Sequence, residues 1–346
     1  MYGLAPDHTA LTAAADWLLA EEITGPGDWQ VRRPGLAPSG WAFEFDNDIY
    51  PDIDDTAEVV LALRRARCAA GEDALASAIR RGVRWMVGMQ SRDGGWGAFD
   101  ADNTSTLPPK LPFCDFGAVV DPPSADVTAH VVEALAAEGL AGCRAARRGV
   151  VWLLRAQEDD GSWFGRWGAN YVYGTGAVVP ALIAAGVQPG KPAIQRAVAW
   201  LEEHQNADGG WGEDMRSYDD PALAGRGEST ASQTAWALLA LLAAGEGGAG
   251  RAHGTPEPDA GAGHGRAHGT PGRDKTSWQA APDARPEDTA VERGVQWLID
   301  HQREDGTWDE PQYTGTGFPR DFYLNYHLYR LVFPVMALGR YVAGTS

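Results

Sequence analysis

One spacing recurs along this chain and constrains its fold more than any other feature: Trp, four residues, Gln, three residues, Gly, one residue, Trp. Four copies keep this spacing throughout, and a fifth, looser copy has Glu in place of Gln. The copies are Trp85–Gln90–Gly94–Trp96, Trp152–Gln157–Gly161–Trp163, Trp200–Gln205–Gly209–Trp211, Trp297–Gln302–Gly306–Trp308 and the looser Trp17–Glu22–Gly27–Trp29. Self-similarity at intervals of tens of residues predicts a repeat architecture, in which one supersecondary unit is built several times.

The residues around each Gln predict that the unit contains a helix and its terminating turn. The segment before the Gln, such as RRGVRWMVGMQ ending at Gln90, has helical spacing and helix-forming composition. The Gly follows the helix end, where a residue with positive φ is needed. Gln can hydrogen-bond the free carbonyls at a helix end or a neighbouring helix. We therefore expect a helix terminator that fastens each unit to its neighbour, with the second Trp folded back on the turn.

A second helix follows each terminator, and its composition predicts that it is buried, because Ala, Val and Leu occupy most of its faces. These helices are predicted to start at Asp54, Ser124, Gly174 and Ser229. Amphipathic helices that alternate with buried ones predict two concentric layers. Residues 1–346 are thus expected to form a single all-α domain, an α/α barrel or toroid, with the Gly-x-Trp turns on its outside. The last element, from about 321 to 342, is predicted as a further buried helix interrupted at Pro334.

Charge and cysteine content narrow the function classes. A net charge of −18 does not provide the basic surface that nucleic acid requires, and it also argues against electrostatic docking on anionic lipid. Cys68, Cys114 and Cys143 form no Cys-x-x-Cys pair, which favours a reducing compartment. The N-terminal residues lack the pattern of a signal peptide, and no apolar run is long enough to span a bilayer. We therefore expect a cytoplasmic protein without a nucleic-acid partner.

One segment, from about 245 to 287, breaks the repeat. It is rich in Gly, Ala, Pro and His and contains the string GRAHGTP twice. Low-complexity composition of this kind predicts a disordered insert. A metal cluster is the less favoured interpretation of its histidines His253, His264 and His268. The sequence predicts no metal site and no cofactor.

The repeated turns resemble the QW motifs of the class II triterpene cyclases, which include the squalene–hopene and oxidosqualene cyclases. A second match is more specific, because Asp52, Ile53, Asp54 and Asp55 form the D-x-D-D motif of these enzymes. Further similar stretches are LPFCDFG at Leu111, DPPSADVTAHV at Asp121, GSWFGRWGANYVYGTGAVV at Gly161, STASQTAWALLAL at Ser229 and GTGFPRDFYLNYHLYRLVFPVMALGRY at Gly315. The resemblance covers nearly the whole chain outside the insert and is strongest to the bacterial squalene–hopene cyclases.

This resemblance implies a proton-initiated cyclisation of squalene to hopene- and hopanol-type pentacyclic triterpenes, an isomerase reaction. Members of the family are roughly twice as long and contain two helical barrels. The present chain is similar to the barrel with the D-x-D-D motif and lacks the other, so an inactive fragment is an alternative. The resemblance further implies monotopic association with membrane lipid on the inner face, through an apolar patch, and it allows a homodimer.

The chemistry explains why acids cluster in this motif. An alkene is a very weak base, and an isolated Asp in water is ionised at neutral pH. Repulsion between neighbouring carboxylates keeps one of them protonated, and a helix N-terminus stabilises the conjugate base. Resemblance assigns the donor role to Asp54, between Asp52 and Asp55. Asp55 and Glu58 also have the spacing of a capping box, which predicts Asp55 as the N-cap.

His130 is the second candidate catalytic residue. It follows Asp126 by four residues, on the same predicted helix face. An imidazolium held by Asp126 could hydrogen-bond Asp54 and raise its acidity, which is the role that the resemblance implies for this His.

Aromatic side chains would stabilise the cation that migrates through the growing ring system, because their faces attract positive charge without trapping it. The candidates given by the resemblance are Phe43, Phe99, Trp167, Phe318, Phe322, Tyr326 and Tyr329. Tyr326 and Tyr329 are expected on one helix face. Phe113 and Cys114 resemble the constriction between the substrate channel and the cavity. The alternative for each of these residues is ordinary core packing, and for the last two a buried loop anchor.

Other function classes fit the sequence less well. An α/α-barrel glycoside hydrolase needs a second cavity carboxylate at a defined separation. A protein prenyltransferase β-subunit needs a zinc site of Asp, Cys and His, for which no suitable spacing is present. A helical-repeat binding scaffold would not need buried acids beside inward aromatic residues. A related class II cyclase that acts on another polyprenyl chain is the principal alternative.

Overall fold

The computed structural model describes residues 4–44, 46–47, 49–105, 120–249, 289–319 and 322–344. Nearly all of its regular structure is helical. The helices are α1 (Thr9–Ala20), α2 (Ile53–Leu63), α3 (Glu72–Gly88), α4 (Ala125–Ala137), α5 (Arg144–Arg155), α6 (Tyr171–Ala184), α7 (Pro192–Glu203), α8 (Ala231–Ala249), α9 (Ala290–Asp300) and α10 (Tyr329–Gly344). One antiparallel hairpin joins β1 (Gly315–Phe318) to β2 (Phe322–Leu324).

The helices form two layers, as the alternation of sequence patterns predicts. In the inner layer α2, α4, α6, α8 and α10 pack against one another in chain order. The outer helices pack on this layer, α3 on α2, α5 on α4, α7 on α6 and α8, and α9 on α8. The inner α6 buries ten of its 14 residues, whereas the outer α5 buries four of 12. The prediction of an all-α, two-layered barrel is confirmed.

The second Trp of each strict repeat closes its own helix. Its indole is fully buried and its Nε1 donates a hydrogen bond to the carbonyl ten residues earlier, near the end of the outer helix. These pairs are Trp96 with Met86, Trp163 with Leu153, Trp211 with Leu201 and Trp308 with Leu298, all at 2.7–2.8 Å. The turns thus lie at the ends of outer helices, and their indoles are in the core between the layers.

The Gln and Asp of each turn fasten it to the next repeat. Gln90 Nε2 donates to the carbonyl of Gly94 in its own turn and to that of Ala145 at the start of α5. Asp93 accepts a hydrogen bond from Trp152 Nε1 at 3.0 Å. The same contacts recur in the next two repeats, as Gln157 with Gly161 and Ala193, Asp160 with Trp200, Gln205 with Gly209 and Ala290, and Asp208 with Trp297.

Four details differ from the predictions. Gly315–Phe318 and Phe322–Leu324 are strands of a hairpin, so α10 begins only at Tyr329 and Tyr326 precedes it. The helix continues through Pro334 instead of breaking there. The helix expected from Gly174 begins three residues earlier, at Tyr171. Helix α8 extends to Ala249, so the first residues of the predicted insert are helical; the rest of that segment, including its histidines, lies outside the described residues.

Candidate active site

The three acids of the D-x-D-D string lie at the N-terminus of α2, where they have different environments. Asp52 is the N-cap, because its Oδ1 accepts hydrogen bonds from the backbone N–H groups of Asp54 at 2.6 Å and Asp55 at 3.3 Å. The prediction of a capping box with Asp55 as N-cap is therefore wrong. The backbone N–H of Asp52 donates to Trp41, and that of Ile53 to Ala98, which fixes the helix start against two neighbouring segments.

His130 lies on α4, the helix that packs against α2. Its Nδ1 is 2.6 Å from Asp54 Oδ1. Their side chains are 15% and 22% exposed, so the pair is largely but not completely shielded from solvent. Glu58, one turn after Asp54, lies 3.9 Å from the same ring nitrogen. The contact between His130 and Asp54 connects two segments that are 76 residues apart in sequence.

Asp126 contributes in a different way from the one expected. Its oxygens accept hydrogen bonds from Ser124 Oγ, from its neighbour's backbone N–H and from the backbone N–H of Trp167 at 2.8 Å. Both Asp126 and His130 are described, and no hydrogen bond joins them, so the expectation that Asp126 holds the imidazole is wrong. Its carboxylate acts on His130 through charge and anchors the segment that carries Trp167.

Burial and charge perturb the titration of the cluster. Burial raises the pKa of Asp52 well above its usual range, and the charges of Asp55 and Asp54 add to the rise. Burial and the charge of Asp54 raise the pKa of Asp55 to about 7. Burial also raises the pKa of Asp126. For His130, burial lowers the pKa, but the charge of Asp54 and their hydrogen bond outweigh it and raise the pKa to about 10. The cluster therefore retains protons at neutral pH.

Two groups of aromatic rings surround these acids. Tyr326 lies edge-on to Phe43 at 5.9 Å and tilted against Tyr329 at 4.8 Å, between ring centroids. Phe99 lies edge-on to Trp167 at 6.1 Å. Burial and the charges of Asp55, Asp52 and Asp54 raise the pKa of Tyr326 to about 12, which reflects its closeness to the acids.

The rest of the predicted site is divided between the hairpin and residues that are not described. Phe318 ends β1 and Phe322 begins β2, and they pair across the hairpin. Phe322 and Phe43 expose half of their surface, 50% and 52%. Phe113 and Cys114 lie outside the described residues. Among the residues that are described, no three His, Cys, Asp or Glu are grouped so as to hold a metal ion.

Two buried aromatic residues near the site were not predicted. Tyr173 on α6 lies edge-on to His130 at 6.2 Å and to Trp236 on α8 at 4.9 Å. Trp236 in turn contacts Tyr329 at 5.8 Å. The chain of rings thus runs from the His130–Asp54 pair to α10. The sequence pattern that could have identified them is that both are aromatic residues in inner helices that otherwise consist mainly of small and aliphatic residues.

A two-layered helical barrel with QW turns and a histidine-bound acid beside aromatic rings defines a class II terpene cyclase fold. A solved structure with this fold is the type II terpene cyclase MstE from Scytonema, which matches with a TM-score of 0.55 at 17% identity over 96% of this chain and 88% of that one. The family model for the squalene–hopene cyclase C-terminal domain matches residues 2–255 and 260–343. The chain belongs to this family.

Curated relatives agree with the family assignment. The chain is 55% identical over 340 residues to a squalene–hopene cyclase of Alicyclobacillus acidocaldarius, with 98% of this chain and 48% of that protein covered. It is 46% identical over 330 residues to a probable squalene–hopene cyclase of Sinorhizobium fredii, with 94% and 45% covered. The chain thus spans about half the length of the curated relatives it matches.

Proposed function

We propose that this chain is the proton-donating domain of a squalene–hopene cyclase, and that Asp54 protonates a terminal double bond of squalene to start its cyclisation to hopene- and hopanol-type products. The observation that carries the proposal is the 2.6 Å contact between His130 Nδ1 and Asp54 Oδ1 at the aromatic-lined N-terminus of α2. The curated relatives named squalene–hopene cyclase support the choice of substrate.

The arrangement explains how a carboxylic acid can protonate an alkene. Asp54 donates a proton from Oδ2 to the alkene carbon, and the alkene π electrons form the new C–H bond. The carboxylate that remains is stabilised at Oδ1 by the His130 imidazolium, whose pKa of about 10 keeps it charged at neutral pH. The partial positive charge of the α2 N-terminus adds to this stabilisation. Asp52 holds the helix start, while the charges of Asp54, Glu58 and Asp126 raise the pKa of His130 and keep it protonated.

The aromatic residues have a second task in this proposal. The carbocation moves away from Asp54 as rings form, and each aromatic face near its path stabilises it by about 0.5–2 kcal/mol. We assign this role to Phe43, Phe99, Trp167, Phe318, Phe322, Tyr326 and Tyr329, which supply no nucleophile strong enough to end the reaction early. Phe113 and Cys114 are proposed as the constriction of the substrate channel.

We further propose that residues 1–346 form one barrel domain and that a second domain completes the cavity. The support is that the relatives are about twice as long and that Phe43 and Phe322 are half exposed although they line the proposed site. A cation that forms on such an open surface would meet water, so a cover is chemically required.

The membrane association that we propose is monotopic, on the inner face. No described helix combines the length and the apolar character needed to cross a bilayer. Exposed apolar residues line α10, where Val332, Val335 and Val342 are 47–60% exposed. Attachment through such a surface would resist salt and be lost in detergent. Release from vesicles by salt alone would contradict it.

The test of the proposed function is Asp54→Asn in a chain that is completed with its second domain. The amide keeps the size of the side chain but supplies no acidic proton. General acid catalysis contributes about 10²–10⁴-fold in most enzymes; here the loss should be complete, because water is far too weak an acid to replace Asp54. Product analysis with squalene measures the effect. The matched control is Asp300→Asn on the outer α9, which should retain the parental rate.

A further inference from the structure

Five arginines surround a groove on the outer wall of this strongly acidic protein. The groove lies beside the turn after α3 and along one face of α5, with a volume of about 300 Å³. Its lining residues are Arg92, Asp93, Arg144, Arg147, Arg148, Val151 and Arg155. The chain as a whole has 47 acidic and 29 basic residues, so a concentration of positive charge at one place is not expected from composition.

The internal repeat shows which of these arginines the architecture needs. Arg148 donates to Gln90 Oε1 at 3.2 Å, and the equivalent Arg196 and Arg293 make the same contact to the Gln of the turn before them. Arg148 therefore belongs to the fastening of one repeat to the next. Its presence in the groove has a structural explanation.

The other four arginines have no counterpart in the repeats that follow. Arg92 corresponds to Asp159, Ala207 and Glu304; Arg144 to Pro192 and Thr289; Arg147 to Gln195 and Glu292; and Arg155 to Glu203 and Asp300. The barrel therefore forms with neutral or acidic residues at these positions. The preceding repeat has Ser77, Arg80 and Gly88 at the positions of Arg144, Arg147 and Arg155, so its only arginine of the three is Arg80. The full set of cations occurs in this one repeat, and the repeat architecture does not explain it.

The local electrostatics make the cluster unfavourable unless an anion is present. Arg144 and Arg147 lie in the first turn of α5, which has no acidic residue, although the positive end of a helix favours acids there. Neither of them, nor Arg155, forms an ion pair with any residue that the structure describes, whereas Arg92 lies 3.6 Å from Asp102. The one acid in the lining, Asp93, uses its two oxygens for Gly95 N and Trp152 Nε1. It is therefore committed to the turn.

We infer that this groove binds a phosphate-bearing anion with two or more negative charges, of the diphosphate class. Guanidinium groups bind phosphate oxygens in a planar, bidentate manner, and several of them around one groove favour a multiply charged ligand. The volume accommodates more than a single phosphate group. The site is on the outer wall, at a place that the proposed cyclisation does not use.

In the experiment, two of the arginines are replaced by the residues that the next repeat has at the equivalent positions. Arg147→Gln combined with Arg155→Glu introduces the residues found at 195 and 203, so the variant should fold. The control is Arg80→Gln combined with Arg84→Glu on the adjacent outer helix α3, which changes the charge by the same amount outside the groove. Binding of inorganic diphosphate to each full chain is measured by titration calorimetry, at two ionic strengths.

We expect diphosphate to bind the parent and the control equally and the groove variant at least about tenfold more weakly. Sedimentation with phosphatidylglycerol vesicles identifies the source of the phosphate. Binding to vesicles that depends on Arg147 and Arg155, without binding of free diphosphate, would assign the groove to lipid headgroups. Equal weakening in the two double variants, or no arginine-dependent binding of either probe, would overturn the inference.

Discussion

At the scale of single residues, three neighbouring acids have three different tasks. Asp52 caps α2, Asp54 contacts His130, and Asp55 titrates near pH 7 because of burial and the charge of Asp54. The sequence predicted the cluster and its place at a helix start. The N-cap was predicted at Asp55 and not at Asp52, because the spacing between Asp55 and Glu58 matches that of a capping box. The backbone contacts of Asp52 with Trp41 and of Ile53 with Ala98 help to fix where the helix begins.

The raised pKa of Asp55 has a consequence for stability. Its pKa is about 7 in the folded chain and near 3.8 as a free side chain, so the folded state binds more protons between these values. Raising the pH from about 4 to 7 through this window therefore lowers the free energy of unfolding. Asn does not titrate, so the free energy of unfolding of Asp55→Asn should not fall in this way. Relative to that of the parent, it should rise by on the order of 2 kcal/mol between pH 4.5 and 7.5.

Urea unfolding of both chains at the two pH values measures this gain. His130→Gln provides an independent comparison, since the raised pKa of His130 contributes stability that is complete below about pH 6.5 and lost as the pH rises through 10. A difference between Asp55→Asn and its parent that does not change with pH would show that Asp55 titrates normally in the folded chain.

A second prediction at this scale concerns Phe322. It begins β2, far along the chain from Asp54, and half of its surface is open. If it stabilises a late cation, Phe322→Ala in the completed enzyme should divert products toward incompletely cyclised ones, with a smaller effect on substrate consumption. Phe322→Tyr keeps the aromatic face and should restore the parental product pattern. An unchanged product ratio in the Ala variant would remove Phe322 from the list of cation-stabilising residues.

At the scale of the element, the repeated turn is where sequence and structure agree best. The spacing predicted a helix terminator, a Gly with positive φ and a Gln that fastens neighbours. All three are present in the first three strict copies, whereas Gln302 of the fourth bonds only Gly306 of its own turn. The looser copy has Pro26 where the strict copies have Asp before the Gly. Trp85, whose counterparts in the next repeats bond to that Asp, has no hydrogen-bond partner at Nε1 in the structure. The hydrogen bonds between repeats thus follow the motif residue by residue.

The glycines of these turns give a matched test of the contact between repeats. Gly161 has φ +102°, and a Cβ there would lie 2.8 Å from Arg196 of the next repeat. Gly306 has φ +82° but nothing within 4 Å of such a Cβ. Gly306→Ala should cost about 1–2 kcal/mol for the backbone alone. Gly161→Ala should cost about 1–3 kcal/mol more, because the turn must move away from its neighbour.

Thermal or urea unfolding of the two variants measures this difference directly. The backbone penalty is common to both, so it cancels when they are compared. Equal destabilisation would mean that the turns do not press against the next repeat closely enough for a methyl group to matter.

At the scale of the whole molecule, the all-α barrel was predictable and the hairpin was not. Periodic composition extends over whole helices and therefore identifies the layers. The hairpin has strands of four and three residues, and its position depends on Trp167, whose carbonyl accepts a hydrogen bond from Thr316 N at 3.0 Å. Pairing of this kind joins segments about 150 residues apart and leaves no local pattern. The positions of Phe318 and Phe322 in the site could not be predicted for the same reason, since both residues lie on that hairpin.

The central claim is that this domain delivers one proton from Asp54 to an alkene. The most direct measurement is the deuterium content of polycyclic products made from squalene in D₂O by the completed enzyme. Because the Asp54 proton exchanges with solvent, the parent should place one deuterium at the carbon that is protonated in the first step, and Asp54→Asn should form no polycycle. Polycycles without deuterium from the parent, or deuterated polycycles from Asp54→Asn at a rate near that of the parent, would contradict the account.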